Sequence, residues 1–164
     1  MKAIVTGSFD PITVGHVDLI EKAAKRFDTV YVVALQNSKK SHMLTLEQRK
    51  ELIALSTQDI DNVIPDAYDG LTADYMHNHE ITHIVRCIRN EEDREYEENL
   101  AKIMNETDER FVTVFLEPDT NMRYISSSMV RAMIDDNSSV EKYIHPMAVK
   151  KLNLFLKENK NTIS

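Results

Sequence analysis

Short β-branched runs alternate with segments of helical period along the whole chain, and this alternation narrows the fold more than any single residue does. Ala3 to Thr6 reads as a buried strand. A helix is expected after Gly15, because Val17, Ile20, Ala24 and Phe27 fall on one face at a period of about 3.6 residues. Thr29 to Leu35, TVYVVAL, is the clearest strand, and Thr45 with Gln48 three residues on forms a capping box for a second helix with Leu46, Leu52, Ile53 and Leu55 on its apolar face. Val63 and Ile64 predict a weaker strand cut by Pro65, followed by a helix over 71–78. Thr82 to Arg86 supplies a fourth strand. Asn90 caps the next helix, whose first turn holds Glu91, Glu92 and Asp93 as the macrodipole prefers. Phe111 to Leu116 is a fifth strand, Ser126 to Ser128 open another helix, and Pro146 starts a last one to about 157, leaving 158–164 as a tail. Such a pattern predicts an α/β fold: a Rossmann-like, parallel five-stranded sheet with helices on both faces, in a single domain over 1–164.

Composition removes several function classes. Twenty Lys and Arg against 27 Asp and Glu give a formal charge of -7, which argues against a general nucleic-acid binder or an anionic-membrane binder. A single Cys excludes an intrachain disulfide and any multi-cysteine zinc site, so a reducing, cytoplasmic setting is expected. Only Ala3 to Val5 are apolar before the first turn residues, so neither a signal segment nor a membrane span is expected. Glycine is scarce. With only Gly7, Gly15 and Gly70, neither GxGxxG nor GxxxxGK[ST] can be written, which argues against a dinucleotide oxidoreductase or a P-loop kinase. Two of the three sit in one stretch, Gly7 to His16, where backbone freedom is expected to be used.

In parallel sheets ligands bind outside the carboxyl ends of the strands. Those ends carry Ser8 to His16, Lys39 and Lys40, Arg86 and Arg89, and Arg123 with the three serines. Cationic and hydrogen-bond-donor groups at four strand ends of an acidic protein predict a strongly anionic ligand. A helix start beside Gly15 offers unpaired N–H groups to a phosphate, with His16 as a directed donor. Each candidate also has a structural reading: His16 satisfied by backbone, the lysines solvated, the arginines paired with Glu91 to Asp93, the serines acting as caps. His79-Glu80-Ile81-Thr82-His83 spells HExxH, a zinc metalloprotease motif when helical, but its β-branched residues fit the fourth strand better. His42, His77 and His145 read as surface residues.

Taken together, GSFDPITVGH at 7–16, NSKK at 37–40 with Met43-Leu44-Thr45, IVRCIR at 84–89, EYE at 95–97 and YISSSMV at 124–130 resemble the bacterial phosphopantetheine adenylyltransferase family. The order and spacing match to about residue 150. The resemblance implies transfer of AMP from ATP to 4'-phosphopantetheine, giving dephospho-coenzyme A and pyrophosphate, with magnesium accompanying the nucleotide and a hexameric assembly. It implies His16, Lys40 and Arg86 as catalytic groups. Lys40 follows from ungapped counting, and Lys39 takes its place with a shift of one residue. Ser8, Lys40, Thr72 and Arg86 would contact the acceptor. Ser8, Phe9, His16, Cys87, Ile88, Arg89 and Glu97 would surround ATP, together with Met122, Arg123, Tyr124, Ile125, Ser126, Ser127 and Ser128. Cys87 stands where the family has Gly, which implies either an unusual backbone angle or close approach of the nucleotide. Between Arg86 and Arg89, its thiol is expected to have a lowered pKa. A sister nucleotidyltransferase with another phosphate acceptor is the alternative enzyme, and a nucleotide-binding regulator the alternative without catalysis.

Overall fold

A computed structural model describes residues 1–163. Five strands, β1 (Lys2–Gly7), β2 (Thr29–Leu35), β3 (Val63–Tyr68), β4 (His83–Cys87) and β5 (Val112–Leu116), form one sheet in the order β3-β2-β1-β4-β5. Every pairing is parallel, with Val5 beside Val32 on one flank and Val85 on the other. Six α-helices connect and cover the strands: α1 (Val14–Ala24), α2 (Leu46–Ser56), α3 (Thr72–Asn78), α4 (Glu91–Thr107), α5 (Ser127–Asp135) and α6 (Pro146–Ile163). The alternation expected from sequence is therefore realised, and the sheet is buried on both faces as parallel sheets must be. Ala3 and Val5 face a core shared with α1, α2, α5 and α6, whereas Ile4 between them faces a smaller one with Tyr75 and Met76 of α3.

Local chemistry accounts for the boundaries. Thr45 caps α2 in a capping box with Gln48, and Asn90 caps α4 by accepting from the Asp93 N–H. The buried stripe of α1 is Val17, Leu19, Ile20 and Ala23; Phe27 lies beyond the helix end yet is still buried. Pro65 does not cut the third strand. β3 pairs only with β2, and an edge strand tolerates a residue without an N–H, so pairing continues to Tyr68. The expected tail is helical as well: α6 passes residue 157 and continues to Ile163, while Ser164 lies outside the described residues.

A charged group occupies the stripe of α2 that was read as apolar. Arg49 has no exposed surface and stands with Leu52, Ile53 and Ser56 on the buried face. Its guanidinium donates to the carbonyls of Ser8 and Leu35 at 2.9 Å each and to Gln36 Oε1 at 2.6 Å. It thereby ties the loop after β1 to the end of β2. Burial lowers its pKa while Asp10 raises it, and a guanidinium stays charged under both influences. Arg49→Leu keeps the apolar stem but leaves three acceptors without their donor. We expect a loss of about 3 to 5 kcal/mol, the scale of breaking a buried charged contact, read as a lower urea midpoint; an unchanged midpoint would mean that water replaces the guanidinium.

Candidate active site

The chain winds outward from β1 through β2 to β3, then crosses to β4 and β5, so the carboxyl ends of β1 and β4 flank a topological switch point. A cleft of about 290 Å³ opens there. Thr6 and Gly7 end one wall, Arg86 and Cys87 the other, and His16, Arg89, Ile125, Ser126 and Ser127 close it from helix starts and loops.

His16 reaches the cleft through the start of α1. Thr13 caps that helix, and its backbone N–H donates to His16 Nδ1 at 2.9 Å. A nitrogen that accepts is unprotonated, so the ring proton sits on Nε2, the nitrogen left for the cleft. Burial, assisted by Arg89, lowers the His16 pKa to about 4, and the imidazole is neutral at neutral pH. The backbone-satisfied reading and the directed-donor reading thus describe two nitrogens of one ring. Phe9 meets His16 edge-on at 5.0 Å and is buried with φ 48, the left-handed region that favours glycine. The backbone freedom expected of the glycines is therefore used by Phe9, since no described glycine has a positive φ. Gly15 is not required by crowding either: a methyl group there would make ordinary contacts, 3.4 Å from Thr13 Oγ1 and 3.6 Å from the Ile125 carbonyl.

The arginines are both paired. Glu97 accepts from Arg86 Nε at 2.6 Å and from its Nη2 at 2.9 Å, and Thr6 Oγ1 accepts from Nη1 at 3.2 Å. Arg89 pairs with Asp93 at 3.0 Å, in the acidic first turn of α4. Ser126 caps α5 by accepting from the Met129 N–H, and Ser127 donates to the Pro11 carbonyl. Both line the cleft, so α5 starts at its wall. A smaller cavity of about 160 Å³ adjoins, lined by Thr72 and Met104 and sharing Thr6 and Arg86 with the cleft.

Other expected site residues lie outside the lining of both cavities. Ser8 offers its carbonyl to Arg49, and Ile88 is buried. Arg123 donates to the Arg89 carbonyl and pairs with Glu117; Tyr124 is exposed against Tyr143. Ser128 is exposed and accepts from Arg131. Lys39 and Lys40 are exposed on their loop, and neither lines the cleft. Met122 and Ile125 do line it.

Two expectations are corrected. The Cys87 thiol is pushed up, not down: burial dominates, and Asp93 and Glu97 oppose the help from Arg89. Its backbone lies in β4 without a positive φ, so space, not an unusual angle, distinguishes Cys87 from glycine. His42 is not a surface residue. Its side chain is 6% exposed, with Nδ1 3.7 Å from Asp10, because Asp10 draws the loop inward by accepting the N–H groups of Met43 and Leu44. The HExxH segment is not a helix, in keeping with its β-branched residues: His79 ends α3 stacked on Tyr75, Glu80 has φ 56, and His83 begins β4. Among the described residues no group of three metal-ligating side chains converges. Sequence reading took Asp10 only as a turn residue and passed over Arg49 and Thr6; the one available signal was an arginine at the i, i+3, i+4 spacing of a buried stripe.

The family model described as cytidylyltransferase-like matches residues 4–133. A phosphopantetheine adenylyltransferase of Shouchella clausii (strain KSM-K16) is 40% identical over 143 residues, covering 87% of this chain and 90% of that protein. Its counterpart in Petrotoga mobilis (strain DSM 10674 / SJ95) is 36% identical over 150 residues, covering 92% and 93%. A crystal structure from Vibrio parahaemolyticus, of a protein described as a nicotinate-nucleotide adenylyltransferase, matches with a TM-score of 0.70 over 94% of this chain and 93% of that one. At 19% identity, that likeness is one of fold.

The depressed His16 pKa has a consequence for stability. Above pH 6.5 the imidazole is neutral folded or unfolded. As pH falls toward about 4, the unfolded chain binds a proton that the folded one refuses, and folding loses free energy over that window. Thermal unfolding at pH 7 and pH 4.5 should therefore show a smaller drop for His16→Gln than for the parent; equal drops would mean that His16 titrates normally in the fold.

Proposed function

Since the chain belongs to the cytidylyltransferase-like family and, within it, to the phosphopantetheine adenylyltransferases, we propose that it transfers the adenylyl group of ATP to 4'-phosphopantetheine, yielding dephospho-coenzyme A and pyrophosphate. One observation carries the reading at the level of the site: two cavities of different character meet at a single guanidinium, Arg86. Transfer between two bound phosphate compounds needs such a junction. The larger cleft, with two helix starts, suits a nucleotide triphosphate, and the smaller one, with Thr72 and Met104, suits the dimethyl-bearing part of the acceptor next to its phosphate.

The acceptor phosphate is already largely ionised at neutral pH, so its oxygen attacks the α-phosphorus of ATP without a protein base. A P–O bond forms there as the bond to the β-phosphate bridge breaks, and pyrophosphate departs. Catalysis then rests on orientation, worth about 7 to 11 kcal/mol for two aligned reactants, and on donors aimed at the developing charge. Neutral His16 gives the Nε2 proton as a hydrogen bond to the α-phosphate. Arg86 holds the acceptor phosphate, and N–H groups at the starts of α1 and α5 take the triphosphate oxygens. Arg89, Cys87, Met122 and Ile125 border the nucleotide. Lys40 reaches the leaving or attacking phosphate from its exposed loop. The acidic groups of the cleft, Asp93 and Glu97, are engaged by Arg89 and Arg86, so magnesium enters as part of the substrate, with ATP.

The rest of the reading follows the family resemblance: one domain over 1–164, action in the cytoplasm, and assembly as a homo-oligomer, a hexamer. Exposed Tyr96 and Ile103 on α4 supply apolar surface for subunit contacts. Among the described residues no helix is long and apolar enough to cross a membrane.

Incubation with ATP, magnesium and 4'-phosphopantetheine should release pyrophosphate; release with nicotinate mononucleotide or glycerol 3-phosphate and none with 4'-phosphopantetheine would overturn the acceptor. His16→Ala should lower kcat by about 10²- to 10³-fold with a smaller change in ATP affinity, as for the loss of one preorganised donor, and an unchanged kcat would show that the imidazole serves only as a helix cap.

A further inference from the structure

Glu97 is 8% exposed and belongs to α4, yet both of its carboxylate oxygens are committed across the cleft wall to Arg86 of β4. A guanidinium has five N–H groups. Glu97 takes two along the side of the fork, through Nε and Nη2, and Thr6 Oγ1 takes one from Nη1. One N–H on each terminal nitrogen remains. These two are the donors left for an anion, and a pair of N–H groups on the two terminal nitrogens can meet two oxygens of one phosphate group. Arg86 and Thr6 line both cavities, so the free donors belong to a side chain that borders the two.

We propose that Glu97, with Thr6, is a positioning residue for Arg86, aiming its free donors at the phosphate of the acceptor. The inference rests on the adenylyl-transfer reading and departs from it at one residue, since family resemblance gives Glu97 to ATP. A carboxylate whose two oxygens already hold Arg86 acts first on whatever Arg86 binds.

Two effects of Glu97 oppose each other. Its charge weakens the field of Arg86, so neutralising it alone would tighten anion binding. Its bidentate grip prevents a long side chain at a cleft mouth from wandering, and that order is lost with the carboxylate. Geometry prevails here because the contact is short, doubly bonded and mostly buried, and phosphate recognition by a fork depends on alignment. Glu97→Gln removes the charge; Glu97→Asp keeps the charge and withdraws it by one methylene. Positioning predicts that both weaken phosphate binding, whereas simple charge compensation predicts tighter binding in Gln and little change in Asp.

The test is calorimetric titration of parent, Glu97→Gln, Glu97→Asp and Thr6→Val with 4'-phosphopantetheine, inorganic phosphate and ATP, beside KM for both substrates. Both Glu97 variants should raise the Kd and KM for 4'-phosphopantetheine about 10-fold, the scale of a misaimed contact, with a smaller change for ATP, whose cleft Glu97 also lines. Thr6→Val, which keeps the shape and removes one acceptor, should raise the same constants roughly 3-fold, and it decides the matter should the Glu97 variants fail to fold. Weaker ATP binding with unchanged acceptor binding, tighter acceptor binding in Gln, or no change in any variant would each overturn the proposal. Should the parent bind ATP but not turn over 4'-phosphopantetheine, the acceptor reading fails by itself, and the inorganic phosphate titrations still decide whether Glu97 and Thr6 aim Arg86.

Discussion

All five strands run in the same direction, and the rest of the molecule follows from that constraint. Parallel strands deliver every carboxyl end to one edge of the sheet, and each must return through a helix that starts at or near that edge. Helix starts carry unpaired N–H groups and a positive dipole end. A cleft between β1 and β4, where the winding reverses, is therefore furnished with anion-seeking groups before any side chain is chosen. His16 and Ser126 occupy positions that the topology already favours, N3 of α1 and the cap of α5.

The charge balance is more orderly than a net value of -7 suggests. Arg86 is held by Glu97 and Arg89 by Asp93, while Lys22 reaches Asp18 and Asp119. Local pairing lets an acidic protein keep cations in place at a cleft without a spread basic field that would attract unrelated polyanions. Asp10 extends the logic to the backbone. By accepting two N–H groups beyond β2, it fastens the loop that carries Lys39 and Lys40 to the loop that carries Phe9. With Arg49 bonded to Ser8 and Leu35, the two loops are joined from both sides.

Sequence reading recovered the elements whose signals are local. TVYVVAL became β2 over the expected span, and Thr45 with Gln48 capped α2 as expected. Where an outcome depended on a distant partner, the reading fell short. Pro65 stays in a strand because nothing pairs on its outer side, a fact of sheet order. His42 is buried by an aspartate 32 residues earlier in the chain, Asp10, and Arg49 by carbonyls on two other elements. Within the site, the residues near the strand ends were found by type and place, but their partners were not. Glu91 to Asp93 were the offered partners for the arginines; Asp93 serves Arg89, while Arg86 turned to Glu97, one turn further along α4.

β3 is one of the two outer edges of the sheet, and an outer edge invites another chain to add a strand. Ile64 is partly exposed there, which would make a flat edge adhesive. Pro65 follows it directly, removing a donor from the ladder, and Asp66 next to it is held by Lys50 and the Tyr75 hydroxyl. A rigid ring and an anchored charge at the middle of a six-residue strand leave too little unbroken ladder for a visiting strand. The residue that weakened the reading of this segment as a strand is the one that makes this edge a poor template for a further strand.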